Sequence, residues 1–449
     1  MVDQERKQNR LNILSSALER GTIVNVRTML NGLHPAEIAH LLESMPPQQR
    51  RLLWELVDPE LDGDILTHVN DELRASLIME MDPEELIAAT EGLEPDDLAD
   101  ILNDLPDAVI SEVLQSMDEQ NRHRLEAVLS YPDDTAGGLM NTDTITVRPD
   151  VTVDVVLRYL RLRGSMPQMT DNLFVVDRED RYLGQLPLGV LLTQQPSASV
   201  AGVMSRETES ISVATKATEV ATMFEHRDLI SAPVIDEGQK LVGRITIDDV
   251  VDVIRDEAEH TMMSMAGLDE QDDMFAPVMV SARHRGVWLG INLMTALLAS
   301  WVIGLFEDTI DKLVILAVLM PIVASMGGIA GSQTLTLVIR GIALGHIGAS
   351  NARQLLYKEL AVSMLNGLLW AGIVAIVVVA WFGDYQVGMV IGVAIIINLL
   401  CAAFAGATIP MLLRRVGADP ALGGSVMLTT VTDVVGFVVF LGLATFFLL

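Results

Sequence analysis

Residues 313–345 read LVILAVLMPIVASMGGIAGSQTLTLVIRGIALG, with Lys and Arg absent until Arg340. About 20 mostly apolar residues suffice to cross a bilayer, so the stretch is long enough to span. It also carries Pro321, Gly327, Gly328, Gly331 and Gly341 at membrane depth. Proline removes a backbone donor, and glycine lets backbones approach closely or a helix unwind. Two readings follow. Small residues can bring helices together, or irregular backbone can line a cavity and turn carbonyls toward a cation. Four further segments share the apolar character, giving spans at roughly 286–306, 313–339, 360–382, 386–413 and 424–448. Polar breaks at 307–312, 340–359, 383–385 and 414–419 separate them. Residues 283–449 thus read as an all-α membrane domain of five helices.

Lys and Arg in short loops set orientation. Arg283 and Arg285 precede the first span, Arg340, Arg353 and Lys358 fall between the second and third, and Arg414 and Arg415 follow the fourth. All three basic groups fall on one side, which places the N-terminus in the cytoplasm and Leu449 outside. In VMLTTVTDVVGFVVF, Asp433 has apolar sequence on both sides. A carboxylate at that depth costs a few kcal/mol and usually marks an ion or proton pathway. The alternative is pairing with a base, but Lys, Arg and His are missing from the apolar cores of the spans. Asn292, Asn366 and Asn398 read as interhelical glue. Lack of fixed positive charge favours a cation pathway. Two copies about a twofold axis would double the lone carboxylate, and oxygen ligands around a hydrated ion suit Mg²⁺ or a similar hard divalent.

The 449 residues hold 30 Lys+Arg against 60 Asp+Glu, a net charge of −30, yet mean hydropathy is +0.38. Eight basic and seven acidic residues lie from Ser281 onward, which leaves 22 basic and 53 acidic before it, a net of −31. A strongly acidic soluble part is therefore joined to a nearly neutral apolar one. That excludes a purely soluble enzyme and argues against nucleic-acid binding, which needs a positive footprint. The single cysteine, Cys401, excludes disulfides within one chain and cysteine-based zinc sites. The first twenty residues lack a signal-peptide core.

Within the acidic part, residues 1–135 read as a superhelical stack of helices. LHPAEIAHLLESMP (33–46) repeats as LEPDDLADILNDLP (93–106), each with a proline near a helix start and apolar residues three and four apart. Residues 136–200 and 201–256 alternate strands and helices, with NLFVVDREDRYLGQLPLGVLL echoed by SAPVIDEGQKLVGRITIDDVV. This α/β tandem resembles a pair of cystathionine-β-synthase-type (CBS) modules. GRITIDD (243–249) fits the G-x-x-T-x-x-D form by which some such modules hold a nucleotide ribose through the places of Thr246 and Asp249. A plain helix N-cap gives the same pattern, and both readings stand. Asp249, Asp252 and Asp256 then share one face of a helix leading through 257–282 toward the first span, where like charges repel unless cations bridge them.

This order of parts is similar to MgtE-type magnesium channels over essentially the whole chain. PIVASMGGIAGSQ (321–333) resembles the family's P-[IV]-V-A-S-M-G-G-N-A-G-[TS]-Q, with Ile329 in place of the usual Asn. The resemblance implies a homodimeric Mg²⁺ channel in the inner membrane, letting Mg²⁺ in and closed by cytosolic Mg²⁺. It implies pore roles for Asp433, Gly328 and Thr430. Regulatory roles carry over to Asp96, Asp100, Gly137, Asp228, Asp249, Asp252, Glu257 and Asp419, and His260 and Thr261 stand where acids are expected. ATP at the CBS modules belongs to the same picture. The other readings are a broader divalent (Co²⁺) transporter, a coupled carrier, or a membrane-anchored sensor without transport. Enzyme motifs (Ser/His/Asp, P-loop, metal hydrolase) do not occur.

Overall fold

The computed structural model describes residues 23–90, 93–103, 105, 107–206, 210–268, 275–276, 278–348 and 350–449. The expected helical start before residue 23, Asp104 and Pro106 of the second repeat, and 269–274 and 277 of the expected linker lie outside them. The chain divides into two units, Met1–Ala258 with Gln271–Ala276, and Glu259–Glu270 with Pro277–Leu449.

Among the described residues the first unit opens with nine α-helices: α1 (Ile23–Leu30), α2 (Pro35–Glu43), α3 (Pro47–Trp54), α4 (Asp62–His68), α5 (Asp71–Glu80), α6 (Pro83–Thr90), α7 (Pro95–Asn103), α8 (Asp107–Ser116) and α9 (Glu119–Leu129). The two copies of the sequence repeat are α2 and α7. Each starts at its proline, whose missing N–H is one a helix start leaves unpaired anyway. His34 and Glu37 close a capping box on α2, the Glu37 carboxylate accepting from the His34 N–H at 3.2 Å. Ile38, Leu41 and Leu42 are buried on α2, and Leu98, Ile101 and Leu102 on α7. The 60-residue echo is therefore one packing solution used twice.

The tandem modules are equally literal copies. In the first, β1 (Thr146–Val147) runs parallel to β2 (Asn172–Val176), and β2 pairs antiparallel with β3 (Tyr182–Pro187). Helices α10 (Val153–Arg163), α11 (Leu188–Thr193) and α12 (Val200–Val203) complete it. In the second, β4 (Ile211–Ser212), β5 (Ser231–Ile235) and β6 (Leu241–Thr246) repeat the order, with α13 (Ala217–Arg227) between β4 and β5. Even the register irregularity recurs, at Val175/Val176 and at Val234/Ile235. The copies join across Arg181 and Lys240, where Tyr182 N donates to Gln239 O and Leu241 N to Asp180 O. The first copy has its own core around Leu173, Val175 and Leu186. The second shares one continuous core with the nine helices.

From β6 the chain enters α14 (Ile247–Met265), a single helix carrying the acidic run. The second unit then contains α15 (Val278–Gly304), the short α16 (Glu307–Lys312), α17 (Ile315–Ala343), α18 (Ala352–Phe382), α19 (Tyr385–Arg415) and α20 (Pro420–Leu448). Five of these are long and apolar enough to cross a membrane. They run further than the expected spans. α18 takes Arg353, Lys358 and Glu359 into its first turns, and α17 continues through Arg340, so both ends of the expected polar break are helical. Once backbone pairing is complete within the helix, apolarity is not needed to extend it past the hydrocarbon. Helix α19 is the most enclosed, packed against α17, α18 and α20, whereas α15 meets chiefly α20. On α18, Leu365, Leu368, Leu369, Ile376 and Trp381 stand exposed, a surface apt for lipid.

The glycine-rich segment does not unwind. α17 is unbroken from Ile315 to Ala343 with Pro321 inside it, so the expectation of irregular backbone with freed carbonyls is corrected. Its glycines instead divide by face. A Cβ on Gly327 would collide with the Asn398 amide, and one on Gly331 would come within 2.9 Å of Leu428, while Gly328 has open space. Asn398, 1% exposed, donates to the Val323 carbonyl at 2.9 Å, joining α19 to α17 as expected for interhelical glue. Asn292 differs: it donates to Trp288 O on its own helix. Gly327→Ala is expected to lower stability by about 1–3 kcal/mol through overpacking, and Gly328→Ala by less than about 0.5 kcal/mol. Thermal unfolding of the detergent-solubilised variants measures the difference.

Candidate cation pathway and regulatory carboxylates

The open face of α17 lines a cleft of about 750 Å³ with α20. Ala324, Ser325, Gly328, Ile329, Ser332, Gln333 and Thr336 come from α17, and Thr429 and Asp433 from α20. The α17 positions follow helical spacing, adjacent pairs at 324/325, 328/329 and 332/333 recurring every four residues and then Thr336, so one stripe faces the cleft. Thr429 and Asp433 are one turn apart on α20. Among the described residues Asp433 has no hydrogen-bond or ion-pair partner. The cleft thus combines one carboxylate, four hydroxyls and an amide. Such oxygens suit a hard cation, through its waters or directly.

Two of the three expected pore residues, Asp433 and Gly328, line the cleft. Thr430 does not: its hydroxyl donates to Val426 O at 2.7 Å, and the lining threonine is its neighbour Thr429. Ser325, Ser332, Gln333 and Thr336 were not anticipated, although their spacing along one helix face is a signal the sequence contains. Ile329 is 58% exposed and sets an apolar surface among the hydroxyls. Off the cleft, Thr334 on the buried face of α17 donates to Glu359 of α18 at 3.3 Å, and Lys358 pairs with the same carboxylate.

In the first unit, the start of α7 and the start of α14 are both acidic: Glu94, Asp96 and Asp97 on one side, Asp248, Asp249 and Asp252 on the other. Burial, then repulsion from Asp249, Asp97 and Glu94, holds the Asp96 carboxyl well above its ordinary range. Burial and Asp248 push Asp249 up to about 8, against hydrogen bonds from the Thr246 N–H and hydroxyl that pull it down. Burial, Glu94 and Asp248 raise Asp97 to about 6. The Asp249 carboxylate accepts from the Thr246 hydroxyl at 3.1 Å, so Thr246 and Asp249 form a local cap at the β6–α14 junction.

The remaining expected regulatory residues are more dispersed. Asp252 pairs with Arg255 at 3.0 Å, and Asp100 is exposed. Gly137 lies against the Tyr131 ring, leaving no room for a Cβ. Asp228 ends α13 in the left-handed region at φ 51°, and Glu257 is exposed. In the second unit, Asp419 caps α20 by accepting from Ala421 N and Leu422 N, and His260 faces it at 3.4 Å. Among the described residues no three His, Cys, Asp or Glu side chains converge on one metal position. The acids are arranged as facing sets.

A family model described as "Divalent cation transporter" matches residues 320–443, one described as "MgtE intracellular N domain" matches 33–134, and the CBS domain matches 136–193 and 200–256. A protein of Thermus thermophilus named magnesium transporter MgtE is 31% identical over 96% of this chain and 97% of its own length. The chain belongs to the MgtE family. A Bacillus subtilis magnesium transporter MgtE is 26% identical over 96% of both chains. A solved cytosolic domain of an Mg²⁺ channel MgtE in complex with ATP is 31% identical, covering 54% of this chain and 98% of that one, at a TM-score of 0.49. MgtE relatives are transporters and not enzymes, and the chain has their plan: a helical domain, a CBS pair and a multi-pass membrane domain.

The raised acids fix the sign of a pH effect. A carboxyl raised in the folded state holds protons that the unfolded chain releases, so stability falls as pH climbs from the ordinary 3.8 through about 8. Without divalent ions, the α7–α14 seam of the detergent-solubilised protein is expected to resist protease better at about pH 5.5 than at about pH 8.5, and saturating Mg²⁺ is expected to erase the difference.

Proposed function

We infer that the chain is a homodimeric Mg²⁺-selective channel that admits Mg²⁺ across the inner membrane and closes when cytosolic Mg²⁺ binds its acidic first unit. The observation that carries this reading is the Asp433 carboxylate, unpartnered among the described residues, on a hydroxyl-lined cleft between two apolar helices. Two copies facing each other across a twofold axis would bring two such carboxylates to one passage. Mg²⁺ dehydrates reluctantly, so Ser325, Ser332, Thr336 and Thr429 would meet its waters while Asp433 supplies the field. With the basic helix ends inside, the membrane potential drives entry by about 2.3 kcal/mol per charge per 100 mV.

Closure follows from the facing carboxylates. At low Mg²⁺ the acids of α7 and α14 repel. An ion bridging them binds only the closed arrangement and shifts the population toward it. Asp96, Asp100, Asp249 and Asp252 would serve this seam, with Gly137, Asp228, Glu257 and Asp419 at further bridging points. ATP would act at the second CBS copy by opening the Thr246–Asp249 bond and taking both groups with its ribose hydroxyls.

Asp433→Ala is expected to reduce dye-reported Mg²⁺ uptake into proteoliposomes to the level of protein-free vesicles, with membrane insertion intact. Normal uptake by that variant rejects the pore assignment. The double variant Asp249→Ala, Asp252→Ala is expected to raise the Mg²⁺ concentration that closes the channel about tenfold, the equivalent of one charge-assisted contact. Patch recordings with unchanged closing concentration would remove the sensor assignment.

A further inference from the structure

The four residues Met140, Asn141, Thr142 and Asp143, which lead from the helical domain into the first CBS copy, tie three parts of the first unit together. Asn141 is fully buried, at 0% exposure. Its backbone pairs with Arg244 of β6 in both directions, Asn141 N to Arg244 O at 2.8 Å and Arg244 N to Asn141 O at 2.9 Å. Its Oδ1 accepts from Asp143 N at 2.8 Å. Its Nδ2 donates to the Glu94 carboxylate and to Asp96 Oδ1, the latter at 3.2 Å. An amide has two donor hydrogens and two acceptor lone pairs, so both side-chain ends are engaged.

The contacts around it close into a ring. The other Glu94 oxygen accepts from Gln168 N at 3.4 Å, and the Gln168 carbonyl accepts from Arg244 at 2.6 Å. Asp143 binds Arg124 of α9 at 3.2 Å and Arg163 of α10 at 3.1 Å. Thus α7, α9, the first CBS copy and β6 all meet at this segment. The matching place in the second copy is Ser205, which bridges Gln185 as Asn141 bridges Arg244. A serine there satisfies the backbone but cannot reach two carboxylates, so the amide is peculiar to the first copy, whose entry segment meets Glu94 and Asp96.

We propose that Asn141 is a positioning residue of the divalent sensor, holding Glu94 and Asp96 against the CBS pair when no ion is bound. This rests on the closure described above and adds what sets its threshold. Neutral Nδ2 hydrogens offset part of the repulsion that would otherwise drive α7 away from α14. The docked form is then partly assembled before Mg²⁺ arrives, and the ion has only the remaining carboxylates to bridge. An aspartate at the same place would reverse the effect, replacing two donors by a third negative charge.

The test uses the full-length protein in detergent, with Mg²⁺ titrated against protease protection of the helical domain, and uptake measured on the same variants. Asn141→Ser, the residue of the second copy, is expected to raise the Mg²⁺ midpoint of protection about tenfold, the worth of one charge-assisted hydrogen bond. Its uptake in the absence of cytosolic Mg²⁺ stays at the wild-type level. Asn141→Asp is expected to be unprotected in chelator and protected again at saturating Mg²⁺, a rescue that a misfolded domain would not show. Wild-type midpoints in both variants would overturn the role of Asn141 while leaving closure by Mg²⁺ standing. A wild-type protein whose protection ignores Mg²⁺ would overturn closure itself and this role with it.

Discussion

A carboxylate taken out of water favours its neutral form unless a cation or a set of donors replaces the lost hydration. This chain meets that constraint twice, in separate units and with different remedies. In the membrane unit, Asp433 stands on a cleft whose other polar groups are hydroxyls and an amide, so its compensation has to come from something mobile. In the first unit, burial and then the neighbouring acids push Asp249 to about 8. There, fixed donors such as Asn141 and Thr246 supply part of the compensation, and the proposed reading leaves the rest to a cation. On the proposed reading one ion species satisfies both places, which links passage to closure without a second messenger.

If the seam is the sensor proposed above, it gains from imperfect pairing. Had every acid found a fixed donor or a base, binding an ion would gain nothing, because a ligand shifts an equilibrium only by its differential affinity for the two states. Had none done so, the docked arrangement would be out of reach of a weakly bound divalent. Asp252 illustrates the middle course. It keeps Arg255 at 3.0 Å, an exposed pair of small worth, and so stays available for exchange.

Much of this was legible in the sequence because it is local. Apolar length fixes the five spanning helices, proline fixes the starts of α2 and α7, and alternation with turn residues fixes the doubled sheets. Even the division of glycines on α17 follows from helical geometry once the helix is granted. Legibility ended where a choice depended on which face meets which neighbour. T-x-x-D does not reveal whether Thr429 or Thr430 shares the cleft with Asp433, since both lie within one turn of it. The expectation of unwound backbone failed for a related reason. Glycines that loosen an isolated helix can equally admit a close neighbour, and Asn398 with Leu428 fills that role here. Asn141 was invisible to pattern reading, because its significance lies in contacts to residues 45 and 47 positions away in sequence.

Ile329 brings the two faces of α17 into one argument. Gly327 and Gly331 pin the helix rotation against α19 and α20, so the residue at 329 cannot turn out of the cleft without breaking that contact. An isoleucine there has no group to offer the waters of a passing ion, whereas an asparagine would. The hydroxyls of Ser325 and Ser332 and the amide of Gln333, each about one turn from it, are then the nearest cleft-lining groups on α17 able to hold those waters. Outer-sphere support is therefore interrupted at one level of the cleft and resumes on either side. A bare apolar level in a wet passage is a place where water is held weakly, and on the proposed reading Asp433 is the group whose field would carry an ion past it. On that reading the close fit of α17 on its neighbours, rather than any loosening of its backbone, is what would oblige a passing ion to meet that level.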